Sequence, residues 1–279
     1  MSTVTSKKVD GYKVNTERYS SAQEVVQDCK TRQFRQYEDM SKKELRESWH
    51  GVDSYDKALE LLRVGYQPTV DKLQTALKTS ATGVGKRIKF ENNVHGFAPV
   101  VPLALKGVPN SMINTTIKQI KCKVVDIYYD MGIACFNDAD TIIKAGQKML
   151  GAIISLEKQG YRINLNAIQC YSDNKGVDIL SVKVKSADKP LDIKRVSFPL
   201  THPAFFRVIG FDWQSKSPIA GYRGSGRGFA LTNKKNRAEI AKIITETFGK
   251  NAIYISCSEV ASNNEDYIKE VLTNDKGKN

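Results

Sequence analysis

The sequence predicts an α/β protein: a three-layer domain with a mostly parallel sheet, preceded by an N-terminal helical extension. Two observations carry this. From residue 119 onward, apolar runs of strand length alternate with helical patterns of 10 to 22 residues, as in βαβ units. The run 124–129 also ends at Asp130, and Met131-Gly132-Ile133-Ala134 lies where the end of a strand usually presents ligand groups.

In chain order, residues 1–17 are polar and lysine-containing, which predicts a flexible N-terminus. Residues 18–118 read as a helical and irregular region. Its first part carries Ala22, Val25, Val26 and Cys29 at helical spacing, then Phe34, Tyr37, Met40 and Leu45. A firmer helix opens at Asp53-Ser54-Tyr55-Asp56, where a capping side chain and an early acid precede Ala58, Leu59, Leu61 and Leu62 and Gly65 supplies the stop. Trp49, Tyr55 and Tyr66 read as packing residues. The stretch 79–118, with Gly83, Gly85, Gly96, Pro99, Pro102, Gly107 and Pro109, reads as a linker-like segment over the main domain.

The main domain, 119–272, resolves into strand 119–130, helix 138–159, strands 161–170 and 178–186, helices near 192–211 and 233–248, strand 251–257 and helix 263–272. In the run 178–186, Leu180, Val182 and Val184 alternate with Ser181, Lys183 and Lys185, predicting a half-exposed strand. Residues 273–279 are a polar tail.

With 41% hydrophobic residues, the 279-residue chain can bury a sizeable core. Its 43 Lys+Arg against 30 Asp+Glu leave a formal charge of +13, which predicts attraction to polyanions, chiefly nucleic acid. The five cysteines, Cys29, Cys122, Cys135, Cys170 and Cys257, show no CxxC pair, which argues against structural zinc and a disulfide framework and points to a reducing cytoplasm. No apolar stretch approaches the roughly 20 residues of a membrane span.

Catalytic signatures fail on inspection. Thr82-Gly83-Val84-Gly85-Lys86-Arg87 lacks the first glycine and the metal-binding hydroxyl of a phosphate loop. Of His50, His95 and His202 only His50, with Asp53, has a neighbour at helical metal-site spacing, which makes no ligand set, and His202 reads as a structural hydrogen-bonding residue. Gly224-Ser225-Gly226 does not make a nucleophile elbow. The carboxylates Asp126, Asp130, Asp173 and Asp178 leave a metal-dependent nuclease as an alternative.

The best functional candidate is 214–250, where eight basic residues face two acids, an excess of six. Within it Tyr222, Arg223, Arg227 and Phe229 lie on a glycine-rich stretch just before a helix, followed by Lys234, Lys235 and Arg237. Guanidinium forks, ammonium groups and backbone N–H groups could meet phosphates there, with Tyr222 or Phe229 stacking on bases.

With Asp130 at the end of its first long strand, the element order of 119–272 resembles a von Willebrand factor A domain. The resemblance implies that the strand end once held a divalent cation through a DxSxS motif. Here the five residues are Asp130-Met131-Gly132-Ile133-Ala134, so Gly132 and Ala134 stand where hydroxyls are needed and the metal site is degenerate. The stretches 49–58, 96–109 and 201–211 look like an uncharacterised family of bacteriophage and prophage proteins, which implies the host cytoplasm as location. The expectation is a non-catalytic protein without cofactors that contacts nucleic acid or a nucleoprotein assembly. The alternative of a protein-interaction adaptor would take a partner such as an AAA+ ATPase.

Overall fold

The structure is a computed structural model that describes residues 2–33, 43–78, 86–119, 123–173, 176–219, 230–233, 235–263, 267–268 and 270–271. The chain opens with a hairpin. Strand β1 (Thr3–Val9) pairs antiparallel with β2 (Tyr12–Tyr19) through Asp10-Gly11, both at positive φ (51° and 85°). Two successive residues at positive φ match the right-handed twist of the flanking strands, and Asp-Gly is a favoured sequence for such a turn. Residues 1–17, expected to be flexible, therefore supply two strands. The polar composition of β1 misled because β1 is an edge strand with little to bury.

Four helices follow. In α1 (Ala22–Thr31) the Ser21 side chain caps the N-terminus, and Val25, Val26 and Cys29 are buried. A single turn, α2 (Glu47–His50), ends on Gly51 at φ 78°, where a β-carbon would stand 2.7 Å from the His202 ring. Helix α3 (Tyr55–Val64) runs between Ser54 and Gly65 as the capping pattern predicts. Helix α4 (Gln67–Lys78) packs on later elements of the main body.

The stretch read as linker-like is ordered differently. Strand β3 (Lys86–Asn93), the short β4 (Ala98–Pro99), helix α5 (Val101–Leu105) and β5 (Met112–Gln119) build a separate three-stranded antiparallel sheet in the order β3-β5-β4. Gly96, Gly107 and Pro109 fall between its elements, whereas Pro99 lies in β4 and Pro102 in the first turn of α5. The strand expected over 119–130 is two strands: β5 ends at Gln119 and β6 (Val124–Asp130) belongs to the main sheet.

In the main body, α6 (Ala139–Lys158) is capped by Asp138, and β7 (Arg162–Ser172) and β8 (Gly176–Lys185) form a hairpin. Helix α7 (Ile193–Thr201) stops at His202-Pro203. A π-helical turn over 205–210 then leads into α8 (Phe211–Lys216), so the single helix expected over 192–211 is broken. After the turn Leu231–Asn233 come α9 (Arg237–Phe248), strand β9 (Ala252–Ser256) and α10 (Cys257–Ser262), a helix not expected; within the helix expected over 263–272, the described residues 267–268 and 270–271 are helical.

The six strands run β1-β2-β8-β7-β6-β9. The pairs β2·β8, β7·β6 and β6·β9 are parallel, whereas β1·β2 and β8·β7 are antiparallel, so the sheet is mixed rather than mostly parallel. Side chains alternate between two cores. Ile127, Tyr129, Ile163, Leu165, Leu180, Val182, Ile253 and Ile255 join a large core with α1, α6, α7 and Trp213. Ile168, Cys170, Val177, Ile179, Ala252 and Tyr254 face a smaller core with Ile240, Ile243 and Ile244 of α9. This parity puts the cores on opposite faces.

Strand β8 corrects the half-exposed expectation: nearly every residue is buried. Ser181 faces the interior, and Lys185 pairs with Glu157 at 2.6 Å while donating to the Ile163 and Ser186 carbonyls. The N-terminal hairpin lies along its outer edge and makes β8 an internal strand.

Candidate nucleic-acid interface

One row of strand partners organises the candidate site: Arg18, Ser181, Ile168, Asp130 and Ser256 stand opposite one another across β2, β8, β7, β6 and β9. Two buried carboxylates lie on it or one residue from it. Asp130 points into the smaller core. Glu17, one residue before Arg18, points into the larger one, three strand spacings or roughly 14 Å away.

Glu17 is fully buried and accepts hydrogen bonds from Trp213 Nε1 (2.9 Å), Ser217 Oγ (2.6 Å), Tyr19 OH (3.0 Å) and Arg32 (2.5 Å). Burial alone would raise its carboxyl; the Arg32, Ser217 and Trp213 donors outweigh it and hold the group below the usual carboxylate range. Asp130 accepts from Gly132 N (2.9 Å), Leu231 N (3.1 Å) and Tyr254 OH (2.6 Å). Burial wins here and pushes the carboxyl up to about 6.

These bonds bear on the cation implied by the von Willebrand A resemblance. Both Asp130 oxygens are engaged by internal donors, and Gly132 and Ala134 supply no hydroxyls. Among the described residues no three His, Cys, Asp or Glu side chains are gathered to hold a metal ion. The residues do not fit that group. The other carboxylates of the nuclease alternative have separate partners: Asp126 accepts from Asn164 (2.6 Å), Asp178 from Asn15 (2.7 Å) and Asp173 from Gly176 N (2.7 Å).

The same two carboxylates hold the ends of the glycine-rich stretch. Ser217, on Glu17, is two residues ahead of the last described residue before it, and Leu231, on Asp130, is one past the first described residue after it. Tyr222, Arg223, Arg227, Phe229 and Lys234 lie outside the described residues. Of the two remaining sequence candidates, Lys235 is only 9% exposed, with its ammonium 3.5 Å from the centre of the Tyr12 ring, and burial lowers its pKa. Arg237 is partly exposed and pairs with Glu259 and Tyr267.

Composition concealed one pair nearby. Lys8 and Lys13 stand directly opposite each other across β1 and β2, both exposed, beside the Asp10-Gly11 turn and next to Tyr12. Like charges directly opposite repel, and a bound anion would relieve that. The signal that could have found them is the Asp-Gly turn, which sets their register.

A second arrangement went unforeseen because arginine is seldom buried. Arg207, in the π-helical turn, is fully buried and stacks at 4.1 Å on Trp49. Its guanidinium donates to the Trp49 carbonyl (2.6 Å) and the Asn137 carbonyl (2.8 Å), while Trp49 Nε1 donates to the Cys135 carbonyl (2.7 Å). Burial lowers its pKa to about 10, an effect that Cys257, Cys135 and Asp138 partly oppose. It stays charged at neutral pH.

His202 is buried, accepts the Ala204 N–H through Nδ1 (3.2 Å) and stacks on Phe198, a structural placement. Cys29, Cys170 and Cys257 are buried free thiols and Cys135 is exposed; Cys122 lies outside the described residues. No helix among the described residues is long and apolar enough to cross a membrane.

The fold and site describe an α/β protein with a mixed six-stranded sheet and a glycine-rich basic segment footed on two buried carboxylates. Residues 3–276 match a family model described as "Domain of unknown function (DUF7192)", and the chain belongs to that family. No curated protein and no solved structure matches it.

Proposed function

We propose that this is a phage-type, non-catalytic binding protein that grips nucleic acid, or a nucleoprotein, through the basic segment 221–229 and the lysines beside it. The observation that carries this reading is the pair of feet. A stretch with two arginines and two aromatics starts at Ser217 on Glu17 and ends at Leu231 on Asp130, at one level of a rigid sheet. Fixed ends cut the ordering cost that a basic segment meets on binding. Arg223 and Arg227 would meet phosphates, Tyr222 and Phe229 would stack, and Lys8, Lys13 and Arg237 would extend the positive rim.

The finer fold reading belongs here as well. The parallel run β7-β6-β9, with Asp130 at the carboxyl end of its middle strand and helices against both faces, supports a degenerate von Willebrand A-like, three-layer arrangement. Binding of labelled single- and double-stranded oligonucleotides to wild type and to an Arg223→Ala, Arg227→Ala variant tests the function. A clear weakening in the variant supports it; no binding by wild type, or equal binding by both, rejects it.

A further inference from the structure

Among the described residues, six of the nine large apolar side chains left exposed fall in one region. Phe90, Val94, Phe97, Val101, Leu105 and Val108 all belong to the small sheet and its helix, with Leu105 at 84% and Phe90 at 65% exposed. No described residue from 89 to 115 is buried, and neither core draws on this region. The register puts Phe90, Thr115, Ile113 and Ala98 on one face of the sheet. Among the described residues nothing covers this apolar face, and a three-stranded sheet without such burial is marginal, which makes the face a docking surface for a second chain.

Its charge restricts what that cover is. Residues 86–119 carry Lys86, Arg87, Lys89, Lys106 and Lys118 against the single acid Glu91. A partner needs an acidic rim around an apolar contact. Four of the six exposed apolar residues are aliphatic, with no π-face on which a base can stack, so the chemistry favours a protein surface over nucleic acid.

The chain carries such a surface itself. Phe136 is 86% exposed in the turn after β6, with exposed Asp138 and Asp140 beside it. Glu47 lies on α2, whose Trp49 bonds the Cys135 carbonyl. Among the described residues the basic side chains nearby are Lys43, Arg46 and Lys144, the last 4.0 Å from Asp140. The turn is held in place: the carbonyls on either side of Phe136, those of Cys135 and Asn137, are gripped by Trp49 and by buried Arg207. A rigidly presented aromatic within an acidic rim has the features of an interface anchor.

We propose that the basic arm 86–119 of one copy docks on the Phe136 turn of a second copy. The two surfaces differ, so the contact is head-to-tail and generates rings or open chains. It stands independently of the nucleic-acid reading.

The test is the solution mass of nuclease-treated full-length protein by light scattering, for wild type, Leu105→Glu and Phe136→Glu. Both substitutions fall on exposed side chains, which spares the fold. Wild type is expected to exceed one chain in mass, and each variant alone to run as a monomer up to about 100 µM. An equimolar mixture of the two is expected to run as a dimer, because one intact arm then meets one intact turn. A monomeric wild type, an assembly that survives either substitution, a mixture that stays monomeric, or an assembly that nuclease dissolves would each overturn the proposal. The last outcome would assign the arm to nucleic acid.

Discussion

Ser217 donates a 2.6 Å hydrogen bond to Glu17 across 200 positions of sequence, joining the segment after α8 to the N-terminal hairpin. The bond makes the first strands of the chain part of the candidate site, because the carboxylate that receives it also receives Trp213, Tyr19 and Arg32. Removing the hydroxyl leaves a buried carboxylate one donor short. Ser217→Ala is therefore expected to cost about 1–3 kcal/mol in urea denaturation. It should also weaken oligonucleotide binding, since one foot of the basic segment is loosened.

Glu17→Ala is the harsher change. It strands the buried Trp213 and Ser217 donors and deprives Arg32 of a partner, with an expected loss of about 3–5 kcal/mol. Deletion of residues 2–19 removes this carboxylate with both strands and uncovers β8. Circular dichroism of the truncated chain is expected to show loss of cooperative unfolding, whereas a dispensable tail would leave the melt unchanged.

Asp130 titrates in the opposite sense to Glu17. Its folded-state pKa, about 6, lies above its ordinary value near 4, so its contribution to stability is complete below pH 4 and is lost as pH rises through 6. Asp130→Asn keeps the shape and removes the titration. The stability advantage of wild type over this variant is expected to shrink by about 3 kcal/mol between pH 4 and pH 7, measured by urea denaturation across that range.

Arg207→Lys retains a charge but replaces a planar fork with one ammonium, which cannot span the Trp49 and Asn137 carbonyls as the guanidinium does. A loss of about 2–4 kcal/mol is expected. If Arg207 holds the Phe136 turn, the self-association of this variant also falls under conditions where it remains folded.

Much of the layout could be read before the structure. Helix α6 and strands β7 and β8 fall within about two residues of their expected bounds, because a 20-residue amphipathic pattern between apolar runs has few alternatives. Helix α3 was legible from Ser54 and Gly65, which act locally. The N-terminal hairpin was missed although Asp10-Gly11 announces it, since exposed Thr and Lys side chains on β1 carry no apolar alternation. Strand β8 was misjudged because Ser181 is paired by Arg18 of β2, more than 150 residues away, and Lys185 is buried by its pairing with Glu157 of α6. Arg207 was beyond reach for the same reason: its partners are backbone carbonyls, which leave no mark on a sequence.

The most direct test of the polyanion-binding account is the salt dependence of single-stranded oligonucleotide affinity, followed by fluorescence anisotropy. Wild type is expected to lose affinity steeply, linearly in log K against log salt. Arg223→Ala, Arg227→Ala and separately Lys8→Ala, Lys13→Ala are each expected to flatten that slope by about one to two. A flat wild-type slope, or slopes that both double variants leave unchanged, would contradict the account.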